Sequence, residues 1–451
     1  MITFLWSIMA FAVAIGVLIS FHEYGHFWTA RRLGVKVLRY AIGFGRPLLR
    51  RRGRDGTEYV LGVLPLGGYV KMLDEREGEV PAADLHRAFN RQPVWKRIAI
   101  VASGPAFNLL LAVVAYWIVY VAGVDGLRPV LAEPPANSSA ARLGMHQGEE
   151  IVQLGGRPVP TWEVLRTELI DRALDREAVE IAVRDKTGAV RPEVLELSSV
   201  RVDPEYLFED LGLAPYQPPL PPVLAEVMEG GPAAAAGFRG GDRLLSHDGE
   251  AIHSWQEWAT WLRAHPGTAA QVIVQRNGEP VRLTVIVGRE TRGGQDIGHF
   301  GARVDVPEGL WDNLVTEQRL GVLPALPAAV KQTAHMCGLT LKLLYRMVLG
   351  DVSVRHVSGP IQIAQIAGYS ARIGLVSFLG FIAIVSISLG VLNLLPVPVL
   401  DGGHLLYYVV ELVKGSPLSE RAQQLGQQIG LTLLVALMGL AFYNDILRLI
   451  G

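Results

Sequence analysis

Four long apolar runs constrain this chain more than any other feature of its sequence. A helix needs roughly 20 predominantly apolar residues to cross a bilayer core. Runs of about that length cover residues 1–30, 98–124, 373–400 and 425–443. Half of all residues are hydrophobic, and the mean hydropathy is +0.28. The sequence therefore predicts an α-helical polytopic membrane protein with four transmembrane helices and a sizeable water-exposed part.

Basic residues next to these runs predict the orientation in the membrane, because lysine and arginine accumulate in cytoplasmic loops. Nine of them follow the first run, at positions 31, 32, 36, 39, 46, 50, 51, 52 and 54. Lys414 and Arg421 lie between the last two runs and fall on the same side. We therefore expect both termini and residues 125–372 outside the cytoplasm. The first run lacks a basic leader and a cleavage site before its polar residues, so it is expected to be retained as a helix.

The segment between the second and third runs contains an internal duplication. Pro-Val-Leu-Ala-Glu at residues 129–133 recurs at residues 222–226, which is 93 residues later. The same offset relates Gly144 to Gly237, Gly148 to Gly241, Glu149 to Asp242, Gly156 to Gly249 and Trp162 to Trp255. Agreement over such a span indicates two copies of one small domain.

Each copy resembles a PDZ domain. Residues 236–245 are similar to the glycine-rich core of that family, and Asp248 and Gly249 to the turn that follows it. Asn277 and Gly278 separate two alternating segments and predict a hairpin turn. Two tandem α+β PDZ domains are therefore expected outside the membrane. Copy 1 departs from the family at its carboxylate loop, residues 134–137, which leaves its peptide binding open.

A β-hairpin is predicted between the first two membrane helices. Residues 57–66 favour a strand and face residues 45–50 across a turn at 53–56. We expect this hairpin near the membrane, with unpaired backbone along at least one edge; simple packing on the helices is the alternative. The predicted segments are then a first helix at 1–30, a cytoplasmic-side hairpin and loop at 31–96, a second helix at 97–124, the two PDZ copies at 125–218 and 219–307, an amphipathic and loop region at 308–372, a third helix at 373–411 and a fourth at 424–448.

His22, Glu23 and His26 form an HExxH motif within the first apolar run. Residues four apart share one helix face, so both imidazoles can bind one Zn²⁺. Glu23 lies about 100° round the helix, where it can reach a water at the metal rather than the metal itself. Ionisable groups inside a membrane segment are energetically expensive and rarely idle. We therefore expect one zinc ion per chain and Glu23 as the catalytic residue; a polar cluster at a helix end is the alternative.

Asp401 is the best candidate for a third ligand. A catalytic zinc usually has three protein ligands and one open position, and the two histidines leave one ligand unassigned. Asp401 follows the third apolar run, towards the same predicted side of the membrane as His22 and His26. His404 is a rival ligand, and a helix cap is the other role open to Asp401.

Together these motifs resemble the site-2 protease family of intramembrane zinc metalloproteases. HEYGH at residues 22–26 matches its HExxH, and residues 393–402 match its N-x-x-P-x-P-x-L-D-G. Further similarities lie at residues 43–45, 65–72, 103–108 and 357–360, so the resemblance covers essentially the whole chain. It implies hydrolysis of peptide bonds in or near transmembrane segments.

The resemblance also implies a set of substrate-binding residues. Asn393 looks like a clamp for the substrate backbone, although hydrogen bonding between helices stays open. The hairpin is suited to β-addition of an extended substrate. Asn108 is expected to join helices by hydrogen bonding instead. The candidate substrate-binding residues are Asn393, Gly43, Phe44, Gly45, Pro396 and Pro398.

The resemblance further implies single-span membrane proteins as substrates, including an anti-sigma factor after first-site cleavage and signal-peptide remnants, in regulated intramembrane proteolysis and the envelope stress response. It implies a place in the bacterial inner membrane, with periplasmic termini and PDZ domains and a site towards the cytoplasm. The PDZ pair could bind new C-termini, exclude bulky ectodomains or only support the structure; exclusion by size is favoured.

Two other function classes remain to be compared with the protease. A non-catalytic PDZ scaffold would not need His22, Glu23, His26 and Asp401 together. A transporter commonly contains inverted repeats in its membrane segments, and the repeat in this sequence lies in the aqueous part. The net charge of −1 gives no support for a nucleic-acid partner.

Overall fold

A computed structural model of the chain describes residues 2–198, 200–201, 203, 206–292 and 295–450. The chain divides into two compact units. The first contains the chain up to Asp125 together with Glu317–Ile446, and the second is built mainly from Gly126–Thr316. The membrane helices all belong to the first unit, and the repeated domains to the second.

The first unit begins with a long helix, a two-stranded sheet and a second long helix. These elements are α1 (Ile2–Arg32), β1 (Val37–Arg52), β2 (Glu58–Met72) and α2 (Val94–Ala122), with short 3-10 turns at Ala82–Arg87 and Phe89–Arg91. Tyr40 of β1 donates a hydrogen bond from its hydroxyl to the carbonyl oxygen of Ser20 in α1, at 3.1 Å. The sheet is therefore attached to the helix that carries the HExxH motif.

The strands β1 and β2 are long and bent, so each contributes two segments, and the four segments lie side by side rather than as a simple hairpin. Residues 39–42 of β1 pair with residues 68–71 of β2 on one side and with residues 58–61 on the other. Residues 58–62 also pair with residues 47–52. The expected turn and pairing are present, and the sheet is larger than the sequence predicted. Residues 68–72 form one outer edge among the described residues.

The second unit contains two similar four-stranded sheets. A short strand, β3 (Val124–Leu127), precedes the first copy. The first copy contains α3 (Ser139–Arg142), β4 (Glu150–Leu154), β5 (Arg157–Pro158), α4 (Trp162–Asp175), β6 (Val179–Arg184), β7 (Val190–Leu195) and α5 (Leu207–Leu211). The second contains β8 (Leu224–Val227), α6 (Pro232–Ala235), β9 (Arg243–His247), β10 (Glu250–Ala251), α7 (Trp255–Ala264), β11 (Ala269–Arg276) and β12 (Glu279–Ile286).

The two copies share one strand order. It is β5-β4-β6-β7 in the first copy and β10-β9-β11-β12 in the second. The starts of β4 and β9, at Glu150 and Arg243, are 93 residues apart, as in the sequence duplication. Asn277 and Gly278 both have positive φ, of 53° and 88°, between β11 and β12. Two successive positive φ angles are typical of the type I′ hairpin turn that the sequence predicts.

After β12 the chain forms three more strands of the second unit and returns to the first unit at Glu317, within a fourth strand. It passes through β13 (Gly288–Arg292), β14 (Gln295–His299), β15 (Ala302–Val304) and β16 (Val315–Gln318). Five helices follow, namely α8 (Val322–Val348), α9 (Pro360–Ile373), α10 (Leu375–Leu394), α11 (Asp401–Lys414) and α12 (Glu420–Ile450). The predicted third helix at 373–411 is therefore not one helix. It is interrupted by residues 395–400, where two prolines cannot supply backbone donors.

Four helices of the described chain are long and apolar enough to cross a membrane. They are α1, α2, α10 and α12. The prediction of four membrane helices is confirmed on these grounds. α2 lies centrally: Leu111 packs in a cluster with Leu18 of α1 and Phe381 of α10, and Ala112 packs with Ala329 of α8. This packing positions the polar residues of α1 against α2.

Candidate metal centre

The two histidines of the HExxH motif are oriented by groups on α2. The Nδ1–H of His26 donates a hydrogen bond to the carbonyl oxygen of Ile100, at 2.8 Å. The Nδ1 atom of His22 lies 3.3 Å from Nδ2 of Asn108. The Nε2 atoms of the two rings are 3.2 Å apart. Each ring therefore has one nitrogen towards α2 and the other towards a common point.

Two glycines allow α1 and α2 to approach closely enough for this arrangement. A Cβ at Gly25 would lie 2.9 Å from the carbonyl carbon of Ser103. A Cβ at Gly104 would overlap Nε2 of His26 and lie 2.8 Å from Cε1 of His22. These distances are too short for any real Cβ. Gly104, in the motif at residues 103–108, is therefore needed for the two histidine rings to fit against α2.

Asp401 reaches the same point from the other end of the chain. Its Oδ2 atom lies 3.1 Å from Nε2 of His22 and 3.5 Å from Nε2 of His26. Asp401 is the first residue of α11. The sequence placed it at the end of the third apolar helix, but that helix ends at Leu394.

The backbone before Asp401 is tightly folded. Val399 has a φ of 89°, a left-handed conformation that is strained for a β-branched residue. A Cβ at Gly402 would lie 2.6 Å from the carbonyl carbon of Leu394, and one at Gly403 would lie 2.5 Å from Cα of Pro398. The two glycines after Asp401 therefore allow α11 to start against the preceding loop.

The three ligand atoms fit a tetrahedral metal ion. Zinc bonds of about 2.0 Å to nitrogen and oxygen place tetrahedral ligands about 3.3 Å apart. The observed separations are 3.1, 3.2 and 3.5 Å. Asp401 Oδ2 is buried, and apart from the two histidine rings it has no polar partner among the described residues. Two imidazoles and a carboxylate are a donor set that suits zinc.

Glu23 lies beside this point without a partner of its own. Among the described residues, no hydrogen bond or ion pair involves its carboxylate. A Cβ at Gly68, on the outer edge of the β1–β2 sheet, would lie 2.8 Å from Cγ of Glu23. The carboxylate is therefore available to a small molecule next to the sheet edge.

Comparison with known proteins identifies the family. Residues 10–437 match the sequence profile of Peptidase family M50. The chain belongs to this family. It is 42% identical over 452 residues to the Regulator of sigma-E protease RseP of Escherichia coli strain K12, with 100% of both chains covered. Identity to Protease RseP of Yersinia pestis is 42% over 453 residues, again with 100% of both covered.

The name of a third relative specifies the metal. A Vibrio cholerae protein whose name includes the words zinc metalloprotease is 41% identical over 451 residues, 99% of each chain. Membership of family M50 and the four apolar helices make this chain an intramembrane zinc metalloprotease. The expected family, enzyme class and cofactor are thereby confirmed. The scaffold and transporter alternatives are disfavoured.

Two further sequence candidates, His404 and Asn393, lie in α11 and α10. His404, the rival ligand, is not part of the group formed by His22, His26 and Asp401. It is half-buried, and its ring centroid is 6.2 Å from that of Tyr407. Asn393 is half-buried near the end of α10, and no hydrogen bond of its side chain is found among the described residues.

The hairpin candidates lie in the bent part of β1. Gly43 and Gly45 have φ angles of 82° and 87°, which favour glycine. The exposed Phe44 ring stacks on Tyr69 with centroids 6.4 Å apart and an interplanar angle of 12°. Pro396 and Pro398 both lie in the loop between α10 and α11.

Sequence reasoning missed the groups on α2 that contact the histidines. Asn108 was expected only to join helices, and it does so, since its backbone oxygen accepts a hydrogen bond from Ser386 of α10 at 2.7 Å. Its side chain, however, also faces His22. The motif at residues 103–108 was visible in the sequence, but its contact with a histidine depends on how the helices cross.

Proposed function

We propose that His22, His26 and Asp401 bind the catalytic zinc and that Glu23 is the general base. On this proposal the protein hydrolyses peptide bonds in or near the transmembrane segments of single-span membrane proteins. The observation that carries it is the convergence of three ligand atoms, 3.1–3.5 Å apart, from α1 and α11. The unpartnered carboxylate of Glu23 beside them supports the catalytic assignment.

The chemistry divides between the metal and the side chains. Zinc, when bound, supplies Lewis acidity, which acidifies water and polarises a carbonyl group. Glu23 takes the proton of the attacking water and passes it to the leaving amine. The Nδ1 partners of His22 and His26 keep both rings oriented with Nε2 towards the metal. Each residue therefore has one role that its contacts support.

Substrate binding would use the outer edge of the β1–β2 sheet. A helical substrate hides its carbonyl groups in its own hydrogen bonds, so it must be extended before cleavage. An extended segment can add to a free strand edge through backbone hydrogen bonds. Residues 68–72 form such an edge, and Gly68 lies against Glu23. This contact favours the 68–72 edge over the outer row at residues 47–52.

The remaining candidates would complete the substrate site. Asn393 has amide groups with no described partner, so it can donate to and accept from a substrate backbone. Phe44, exposed and stacked on Tyr69, would contact substrate side chains, while Gly43 and Gly45 shape the strand that carries it. Pro396 and Pro398 would keep the loop before Asp401 non-helical.

The biological context is proposed from the relatives and from charge. The names of the relatives indicate control of sigma-E, so we propose an anti-sigma factor after a first cleavage, and signal-peptide remnants, as substrates. The basic residues after α1 support a cytoplasmic position for that end of the helix. The protein would then lie in the bacterial inner membrane, with termini and repeated domains in the periplasm.

The repeated domains are proposed to be tandem PDZ domains that restrict access by size. Their common strand order and the 93-residue offset support two copies of one fold. Capture of a new C-terminus is the second possibility and would be confined mainly to copy 2, because copy 1 departs from the PDZ pattern at residues 134–137.

A cleavage assay on tagged single-span substrates tests these proposals. The purified full chain is expected to cut a substrate with a short ectodomain and to lose that activity with a zinc chelator. A folded bulky ectodomain should slow cleavage if the repeated domains exclude by size. Cleavage that persists after complete removal of zinc would contradict the metal mechanism, and equal rates for both ectodomains would contradict the size filter.

A further inference from the structure

The side chain of Asn108 is almost completely buried and incompletely bonded. It is 1% exposed, in the middle of α2. Its Nδ2 atom is 3.3 Å from Nδ1 of His22. Its Oδ1 atom is buried with no hydrogen-bond partner among the described residues. A buried amide with an orphaned oxygen is costly unless a ligand or a neighbour requires it.

The direction of the His22 ring determines which amide atom must face it. Nε2 of His22 points towards Asp401 and His26. A neutral imidazole that binds a metal through Nε2 carries its proton on Nδ1. The group facing Nδ1 must therefore be an acceptor, whereas the NH₂ of an amide is a donor.

Exchange of the two amide atoms gives the Nδ1–H of His22 the acceptor that it needs. The oxygen and nitrogen of an asparagine side chain have nearly the same shape, and their assignment follows the hydrogen-bond network. A half-turn of the amide brings Oδ1 to His22 Nδ1–H and satisfies the orphaned oxygen. The tautomer of His22 that zinc binding requires therefore decides which way the side-chain amide of Asn108 faces.

His26 has the same kind of partner on the same helix. Its Nδ1–H donates to the carbonyl oxygen of Ile100. α2 therefore offers one acceptor to each histidine, a backbone oxygen to His26 and a side-chain oxygen to His22. Ser386, 0% exposed on α10, donates a hydrogen bond to the backbone oxygen of Asn108 and leaves its side-chain amide free to face His22.

We infer that Asn108 is a positioning residue for the metal centre, whose Oδ1 accepts the Nδ1–H of His22 and so selects the tautomer with Nε2 free to bind zinc. The inference rests on the proposed ligation by His22. Groups of this type typically change metal affinity by about 10–100-fold when they are replaced. Asn108 should act through zinc affinity rather than by contact with substrate.

Zinc titration of the purified full chain tests the inference. Zn²⁺ is exchanged against a chelator of known affinity for the wild type, Asn108→Leu, Asn108→Asp and Ser386→Ala. Asn108→Leu keeps the number and branching of the side-chain heavy atoms and removes the acceptor, while Asn108→Asp keeps an acceptor at the same place. Ser386→Ala is the matched control, because it removes a buried hydrogen bond to Asn108 without altering its side chain. The absorption spectrum of Co²⁺-substituted protein reports the ligand geometry independently of activity.

We expect Asn108→Leu to weaken zinc binding by about 10–100-fold, with Asn108→Asp and Ser386→Ala close to the wild type. Wild-type affinity in Asn108→Leu, or equal losses in Asn108→Leu and Asn108→Asp, would overturn the inference and leave Asn108 a packing residue. If Asn108→Leu does not fold, Asn108→Ala replaces it in the same comparison. Stoichiometric zinc in His22→Ala would instead overturn the ligand assignment itself, which separates the two failures.

Discussion

Nε2 of His22 lies 3.1 Å from Oδ2 of Asp401, although the two residues come from opposite ends of the chain. The contact joins α1 to α11 and brings a carboxylate to the two imidazoles of HEYGH. Neither element forms a metal site alone, because two histidines supply only two ligands. The packing of both elements against α2 creates the centre.

Replacement of Glu23 by glutamine should separate metal binding from catalysis. The amide cannot accept the proton of the attacking water, and general bases typically contribute about 10²–10⁴-fold to the rate. We expect zinc content near that of the wild type and a loss of cleavage of at least about 100-fold. Elemental analysis and a substrate cleavage assay on the same sample measure both quantities. Undiminished proteolysis would contradict the assignment.

Asp401 and His404 can be distinguished as ligands by parallel alanine variants. Asp401→Ala removes a group within 3.5 Å of both histidines, whereas His404 lies outside the three-residue group. Replacing a residue that only contacts a ligand typically weakens metal binding by about 10–100-fold. We expect a larger loss of zinc affinity in Asp401→Ala and an unaltered affinity in His404→Ala. Chelator competition provides the measurement. The reverse order of effects would identify His404 as the third ligand.

Gly104→Ala should disrupt the centre sterically. The added Cβ would overlap Nε2 of His26, so α1 and α2 must separate or the ring must move. Alanine is a better helix former than glycine by roughly 1 kcal/mol, so any loss cannot come from helix propensity. We expect loss of bound zinc and of cleavage. Gly16→Ala is the control, since a Cβ at that position in α1 meets no atom within 4 Å. Normal zinc content in Gly104→Ala would show that the helix spacing is not limiting.

The repeated domains should lose stability in acid through two matched ion pairs. Hydrogen bonds from Arg191 lower the pKa of Glu149, and although burial raises the pKa of Asp242, hydrogen bonds from Arg276 lower it overall. A carboxylate whose pKa is lower in the folded than in the unfolded state stabilises the fold at pH values above its unfolded pKa of about 4. This stabilisation is lost as the pH falls through the folded pKa. Hydrogen exchange of β4 and β9 should therefore accelerate, beyond its intrinsic pH dependence, below about pH 4.

Asp242→Asn provides the control for this pH dependence. The variant should weaken protection of β9 at neutral pH and flatten its response to acid, because the titrating carboxylate is absent. β4, which depends on Glu149 and Arg191, should keep its wild-type response in the same sample. An unchanged acid response of β9 would exclude the Asp242–Arg276 pair as its source.

The ion pairs also show how far a sequence repeat predicts structure. The 93-residue offset relates Glu149 to Asp242, and both carboxylates pair with an arginine that also donates to an equivalent carbonyl, Gly144 or Gly237. The arginines do not obey the offset, since Arg191 lies in β7 and Arg276 in β11. A sequence alignment finds the carboxylates, but only the folded sheets show which strand supplies the cation.

The sequence by itself determined the features that depend on local pattern. Runs of apolar residues predict the four membrane helices, because length and composition alone decide whether a helix can cross lipid. The spacing of His22 and His26 predicts a shared helix face. Asn277 and Gly278 predict their turn from the backbone angles that they adopt easily.

Tertiary structure decided the relations between distant segments. It divided the predicted third helix into α10 and α11, so that Asp401 begins a new helix. It folded the predicted hairpin into four rows with the 68–72 edge against Glu23, and it brought Asn108 to His22. These contacts depend on helix crossing and strand bending, which are set by close packing over the whole unit rather than by any local run of residues.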